Sequence, residues 1–254
     1  MNSTQPSKYH YARLWPLAGL VVLASVLGAH VSSASTTHIS ETQTVTEQTL
    51  TAKQLAVAPI GATMATGDMP RLRDALNRGL DAGLTISESK EILVQLYAYA
   101  GFPRSLNSLS QLMSVLQERE AGGVQDEPGR EPGPVPSGHA LLDLGTDNQT
   151  RLVGAPVSGP LFEFAPAIDQ FLKVHLFGDI FARDNLDWAT RELATVGALA
   201  AMPGLASQLA SHLKISMNVG LTAQQLNQVA SDLKRHGDQE AAERIVVTLE
   251  KIRG

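Results

Sequence analysis

The sequence predicts an all-α protein. Apolar residues recur at spacings of three and four along most of the chain, as at Leu106, Leu109, Met113 and Leu116, and this spacing is typical of helices with one buried face. Strand signals are nearly absent, because Ile, Val and Thr fall within helical patterns rather than in alternating runs. Helices packed on helices are therefore the predicted architecture.

The N-terminal segment 1–34 has the layout of a secretory signal peptide. Lys8 and Arg13 precede an apolar run at 17–29, and small residues then lead to Ala34. An apolar helix of that length spans about 20 Å, short of the roughly 30 Å hydrocarbon core, so a retained anchor is the less favoured alternative. We expect cleavage near Ala34 and an exported protein, periplasmic or secreted.

Charge and cysteine usage exclude several functions. Removal of Lys8 and Arg13 leaves 18 of the 20 basic residues against 25 acidic ones, a formal net charge of −7. Nucleic acid and anionic membranes are therefore not expected as partners of the processed protein. The expected partner is a small-molecule substrate. The chain has no cysteine, so neither disulfides nor thiol redox chemistry is available to it.

Composition divides the mature chain into modules. Residues 35–51 are polar and are predicted to be a flexible lead-in, followed by a first helical module at 52–120. Six prolines interrupt residues 121–160, which are predicted to be a linker before a second module at 161–254. A linker of this length is uncommon, so residues 140–144 are expected to pack onto a module.

The two modules contain an internal duplication. Six residues of the first module recur in the second at one constant separation along the chain, with no gap between them. The pairs are Gly67 and Gly204, Leu72 and Leu209, Leu76 and Leu213, Gly83 and Gly220, Leu84 and Leu221, and Thr85 and Thr222. Each Gly-Leu-Thr predicts the end of one helix and the start of the next, since Glu88 or Gln225 completes a capping box with the threonine. Asp187 is the predicted N-cap of a further helix at 188–202.

Glu192 and His212 are the candidate catalytic residues. They fall within predicted helices of the second module, where the first module has Leu55 and Ala75. His212 lies on an apolar stripe, so its imidazole is either a satisfied core group or a proton-transfer group. Glu192 either serves acid–base chemistry or pairs with a cation. Gln208, one turn before His212, could fix its tautomer.

Other polar and aromatic side chains have weaker signals. Arg191 points about 100° away from Glu192 around the helix and is predicted to form a surface ion pair, with Asp187 as a candidate partner. Tyr97 and Tyr99 lie on opposite sides of their helix, and Tyr99 fits the core-facing side. Phe177 and Phe181 are predicted core residues. No histidine spacing suggests a metal site.

The chain resembles the carboxymuconolactone decarboxylase family, which includes the alkylhydroperoxidase D-like proteins. The resembling residues of the second module are Phe177, Gly178, Asp179, Ile180, Phe181, Arg183, Leu186, Asp187, Thr190, Arg191, Gln208, Leu209, His212, Leu213, Asn218, Gly220, Leu221 and Thr222. Those of the first module are Gly83, Leu84, Thr85, Glu88, Lys90, Glu91, Ile92, Leu93, Gln95, Tyr99, Gly101, Pro103 and Asn107. They look like the family's front half and back half in reversed order, so a complete site is expected between the modules.

The resemblance implies two possible chemistries. For the peroxidase branch, the resemblance implies a redox-active Cys-x-x-Cys pair. This chain has Gly204 and Ser207 at the corresponding spacing from Glu192, which excludes a thiol peroxidase. The decarboxylase branch implies lyase or isomerase chemistry on a small lactone or keto acid without a cofactor, with Arg191, Tyr99 and Gln208 as substrate-binding candidates. It also implies a homo-oligomer, with a trimer favoured. The alternative is an exported, non-catalytic binding or scaffold protein that keeps the fold.

Overall fold

The computed structural model describes residues 49–253, and all regular structure in that range is helical. The all-α prediction is therefore confirmed. The predicted signal peptide and most of the predicted lead-in lie outside the described residues. None of the described helices is both long enough and apolar enough to cross a membrane. The helices are α1 (Ala52–Thr66), α2 (Met69–Asp81), α3 (Ile86–Gln95), α4 (Tyr97–Ala100), α5 (Phe102–Ala121), α6 (His139–Val153), α7 (Pro160–Phe164), α8 (Pro166–Phe171), a π-helix (Leu172–Ile180), α9 (Trp188–Ala201), α10 (Ala206–Asn218), α11 (Ala223–Arg235) and α12 (Gln239–Arg253).

The duplication extends further than the sequence indicates. Helices α1, α2, α3 and α5 form a first repeat, and α9, α10, α11 and α12 form a second repeat in the same order. Phe102 and Gln239, the first residues of α5 and α12, have the same separation along the chain as the six pairs found in the sequence. Residues at matched positions of these two helices are buried in both, as in the pairs Ser105 and Ala242, Ser108 and Ile245, and Leu112 and Leu249. Because the first two pairs differ in chemistry, the sequence alone did not reveal this part of the repeat.

Helices α1 and α9 hold the two repeats together at a close crossing. Gly61 of α1 lies against the backbone of Ala194, and Gly197 of α9 lies against the backbone of Ala58. A Cβ atom at Gly197 would lie 2.9 Å from the Ala58 carbonyl carbon, so only glycine fits this approach without movement. The repeats consequently share one hydrophobic core rather than forming separate ones.

Local caps explain where several helices begin. The predicted capping boxes are present at Thr85 with Glu88 and at Thr222 with Gln225, and Asp187 caps α9 by accepting a hydrogen bond from the Thr190 amide. These bonds satisfy amide groups that have no partner inside the helix.

The predicted linker is partly structured. Residues 139–153 form α6, which packs on the π-helix, and Leu141 of α6 is buried. The preceding stretch lies along α3, where the carbonyl groups of Glu127 and Pro128 accept hydrogen bonds from the amides of Ile86 and Ser87. The linker therefore supplies partners for the first turn of a helix in the first repeat.

One sequence expectation was wrong in detail, and one apolar pattern did not mark a buried face. Leu50 and Thr51, assigned to the flexible lead-in, belong to the fold, since Leu50 is buried and Thr51 caps α1. Along α5, Leu106 and Met113 are exposed. The buried face of α5 instead contains two serines, one of which, Ser105, donates to the Leu93 carbonyl. A helical apolar spacing identifies a helix, but not the face that its neighbours cover.

Candidate active site

Glu192 and His212 form a hydrogen-bonded pair between α9 and α10. The distance from His212 Nδ1 to Glu192 Oε2 is 2.8 Å. Glu192 is fully buried, and the side chain of His212 is 11% exposed. Because an ionised carboxylate only accepts hydrogen bonds, Nδ1 is the nitrogen that carries the proton in this arrangement. The other ring nitrogen, Nε2, has no hydrogen-bonding partner within residues 49–253 and is therefore the one available to a ligand.

Tyr99 of α4 completes this group from the first repeat. Its ring meets the His212 imidazole edge to face, with a centroid distance of 5.4 Å and an interplanar angle of 79°. Burial is the main cause that raises the pKa of the Tyr99 hydroxyl above its ordinary value, and the negative charge of Glu192 adds to this shift. The hydroxyl therefore stays protonated and remains a hydrogen-bond donor.

Two buried oxygen atoms in this group have no hydrogen-bonding partner among the described residues. They are Oε1 of Glu192 and the hydroxyl oxygen of Tyr99. A buried polar atom left without a partner costs roughly 1–3 kcal/mol. Such atoms are typical of positions where a water molecule or a bound ligand completes the hydrogen bonds.

A second polar cluster lies one residue away along α9. Arg191 is fully buried, and its guanidinium donates to Oε1 of Glu91 and to Oε1 of Gln95, both at 2.9 Å. It also donates to the Arg183 carbonyl at 2.7 Å, and Arg183 in turn binds the Glu91 carboxylate. Burial lowers the pKa of Arg191, while Glu91 opposes this effect. This cluster joins the two repeats, because Glu91 and Gln95 belong to α3.

The duplication relates the positions of Glu192, His212 and Tyr99 to a second set of three positions, which contain different residues. Leu55, Ala75 and His236 occupy the places of Glu192, His212 and Tyr99, each at the separation along the chain that relates the two repeats. His236 lines a small cavity with Asp74 and other residues of α2, so this place too lies between the repeats. His236 Nδ1 lies 3.2 Å from Oδ2 of Asp232 on its own helix, but Leu55 and Ala75 leave this place without a counterpart of the Glu192–His212 pair.

A comparison with protein families finds a match for part of the second repeat and the segment before it. Residues 166–244 match the model of the carboxymuconolactone decarboxylase family. This region is similar to the carboxymuconolactone decarboxylase family. No curated protein matches the chain at a significant level.

The matched range contains Glu192, His212, Arg191 and Gln208, whereas Tyr99 lies outside it. The structure brings Glu192, His212 and Tyr99 together. Arg191 does not join them, since its guanidinium is directed to Glu91 and Gln95. This direction agrees with the expectation that Arg191 and Glu192 face different surroundings.

The predictions for Arg191 and Gln208 need correction. Arg191 is not on the surface and does not pair with Asp187, because an acidic residue of α3 neutralises it inside the protein. Gln208 does not fix the tautomer of His212. It is exposed and accepts a hydrogen bond from Ser207, while Glu192 binds Nδ1 from the neighbouring helix.

Sequence reasoning gave no role to Glu91 and Gln95, although both were among the resembling residues. Their spacing of four on one helix face was the available signal, since it allows two side chains to bind one guanidinium. Phe177 and Phe181 are buried, so their assignment to the core is confirmed. His175, which had no partner in the sequence pattern, is bonded to Asp179 at 2.7 Å on the π-helix. Within residues 49–253, no group of three or more acidic or histidine side chains is arranged to hold a metal ion.

Proposed function

We propose that Glu192 and His212 form a proton-transfer dyad acting on a small lactone or keto acid, so that the domain has carboxymuconolactone decarboxylase-like lyase or isomerase activity. The observation that supports this most directly is the 2.8 Å bond from His212 Nδ1 to the buried Glu192 carboxylate. A carboxylate in this position fixes one imidazole tautomer and leaves Nε2 with a free lone pair.

The chemistry follows from that geometry. Nε2 of His212 accepts a proton from a carbon atom next to a carbonyl group, or returns one to the carbanion that forms when carbon dioxide leaves. Glu192 stabilises the imidazolium that exists between these two events. Tyr99 donates a hydrogen bond from a hydroxyl that stays protonated, either to the substrate or to a water molecule beside Glu192. A thiol peroxidase function is not proposed, since the chain has no cysteine.

The proposal is tested by turnover of small carbon acids. The protein is incubated with a panel of lactone acids and keto acids, while carbon dioxide release and hydrogen–deuterium exchange next to the carbonyl group are both measured. We expect exchange or decarboxylation of at least one compound, and its loss in His212→Gln. Absence of both reactions across the panel, or equal rates in His212→Gln, would contradict the proposal.

A specific observation favours the alternative of a non-catalytic binding or scaffold protein. Glu192 is fully buried and His212 is nearly so, and neither residue lines any of five well-defined cavities in the described part of the chain. Under this alternative, the pair is an internal hydrogen bond of a filled core. Exchange in the panel experiment distinguishes the two functions.

We further propose export and self-association. The basic residues and apolar run before Ala34 support export after cleavage. Helices α7 and α8 contain no buried residue, and their large apolar side chains include Leu161, Phe164 and Phe171, which are 65%, 89% and 63% exposed. A second copy of the chain that covers these side chains would remove them from water, which supports a homo-oligomer.

A further inference from the structure

A cavity of about 450 Å³ lies in the second repeat, away from the Glu192–His212 pair. It is bounded by the end of α9, the start of α10 and one face of α12. Its floor is apolar and is formed by Leu199, Met202, Leu205 and Leu209. A volume in this range is typical of pockets for small organic ligands, which are mostly apolar with a few polar groups.

The two repeats differ at the edge of this cavity. Ala206 at its edge corresponds to Met69 in the first repeat, at the separation along the chain that relates the other matched pairs. Met69 packs against the hydrophobic core, whereas the shorter Ala206 is exposed and fills little of the equivalent space.

One side chain at the rim offers a free positive charge. Four charged residues line the rim, and three of them are already engaged. Glu240 accepts a hydrogen bond from Arg244, whose guanidinium also donates to a main-chain carbonyl, and Glu243 accepts one from Gln239. Lys251 is exposed and has no ion pair or hydrogen bond in the part of the chain that the structure describes. Glu243 keeps its negative charge because Gln239 is neutral, so the rim has two negative and two positive side chains, and Lys251 is the cation among them that is free to pair with an acidic group.

We propose that this cavity binds a small amphipathic carboxylic acid, whose hydrocarbon body covers the apolar floor and whose carboxylate pairs with Lys251. The apolar contact supplies most of the affinity, since an exposed ion pair adds little. Lys251 instead sets the preference for an acid over a neutral molecule of the same shape. This site is independent of the proposed proton-transfer chemistry.

The test compares octanoate with octanamide by isothermal titration calorimetry on the purified chain. We expect octanoate to bind about two- to fivefold more tightly than octanamide, which is the range that an exposed ion pair gives. Lys251→Gln should remove this preference without abolishing binding. Lys214→Gln is the matched control, because Lys214 is an exposed lysine on α10 that does not line the cavity.

Two variants fill the cavity. Ala206→Met restores the residue of the first repeat, and Val247→Phe enlarges a side chain on the opposite wall. Each should weaken octanoate binding about tenfold, since loss of roughly 60 Å² of apolar contact is sufficient for that change. Circular dichroism melting curves identify a variant that fails to fold. If one of the two variants does not fold, the octanoate affinity of the other variant tests the proposal. Absence of octanoate binding to the unaltered protein, equal affinity for octanoate and octanamide, or undiminished binding in the folded filled variants would overturn the proposal.

Discussion

His212→Gln separates a proton-transfer role of the imidazole from a structural one. The glutamine side chain has a similar volume and keeps an amide that can donate to Glu192, but it cannot accept and return a proton near neutral pH. If Nε2 of His212 is the acid–base group, turnover should fall by a factor of about 10²–10⁴. If the residue is only a packed core group, no rate depends on it.

The expected effect on stability follows from the contacts of His212. Its 2.8 Å hydrogen bond to Glu192 is largely retained by the amide, whereas the edge-to-face contact with Tyr99 is lost. An aromatic contact of this kind contributes about 0.5–1.5 kcal/mol. For a domain of this size, the melting temperature should therefore decrease by only about 1–6 °C.

The assay measures the initial rate with the best compound of the panel, together with a thermal melt of the same sample. Ala75→Ser is the control, because Ala75 occupies the position of His212 in the first repeat and carries no titratable group. It should leave the rate unchanged. A wild-type rate in His212→Gln would refute the assignment of the dyad, and a decrease of the melting temperature far beyond the expected range would indicate a structural role.

Three further outcomes are expected. Gly197→Ala should lower the free energy of unfolding by about 1–3 kcal/mol in urea denaturation, because the added methyl group meets the backbone of α1; an unchanged urea midpoint would contradict the close crossing. The amide of Gly133, and then Arg130, lower the pKa of Asp184. The Asp184 carboxylate therefore stabilises the fold above its ordinary pKa, and this contribution is lost as the pH falls through the lowered value. Asp184→Asn should consequently reduce the urea midpoint at pH 7 but not near pH 2, and equal reductions at both would argue against it. Light scattering of the protein processed near Ala34 should give a mass near three times that of one chain, whereas a monomer mass at micromolar concentration would exclude the trimer.

The helices were predictable because their signals are local. Periodic apolar residues, two capping boxes and the Asp187 cap each involve residues a few positions apart, and the structure contains all of them. The face that each helix buries depends on its neighbours instead. Leu106 and Met113 on α5, for example, share the helical spacing of apolar residues and are nevertheless exposed.

The candidate site was predictable only in part. Glu192 and His212 could be singled out as titratable residues within apolar helices, but their hydrogen bond depends on how α9 packs on α10. Gln208 was predicted to be the partner of His212 because it is close in sequence. In the structure, Glu192 on a different helix is the partner instead. Burial of Arg191 could not be read from its own surroundings, since its partner Glu91 is 100 residues away in the chain.

The contrast between the two repeats indicates how a single site can arise from a duplication. Both of the places between the repeats are present in the fold, but only one of them contains a glutamate–histidine pair that joins two helices. At that place the second repeat supplies Glu192 and His212, and the first repeat supplies Tyr99. At the other place, Leu55 and Ala75 have no proton to exchange. Neither repeat alone contains all three side chains, so the proposed activity requires the crossing of α1 and α9 that holds the repeats together.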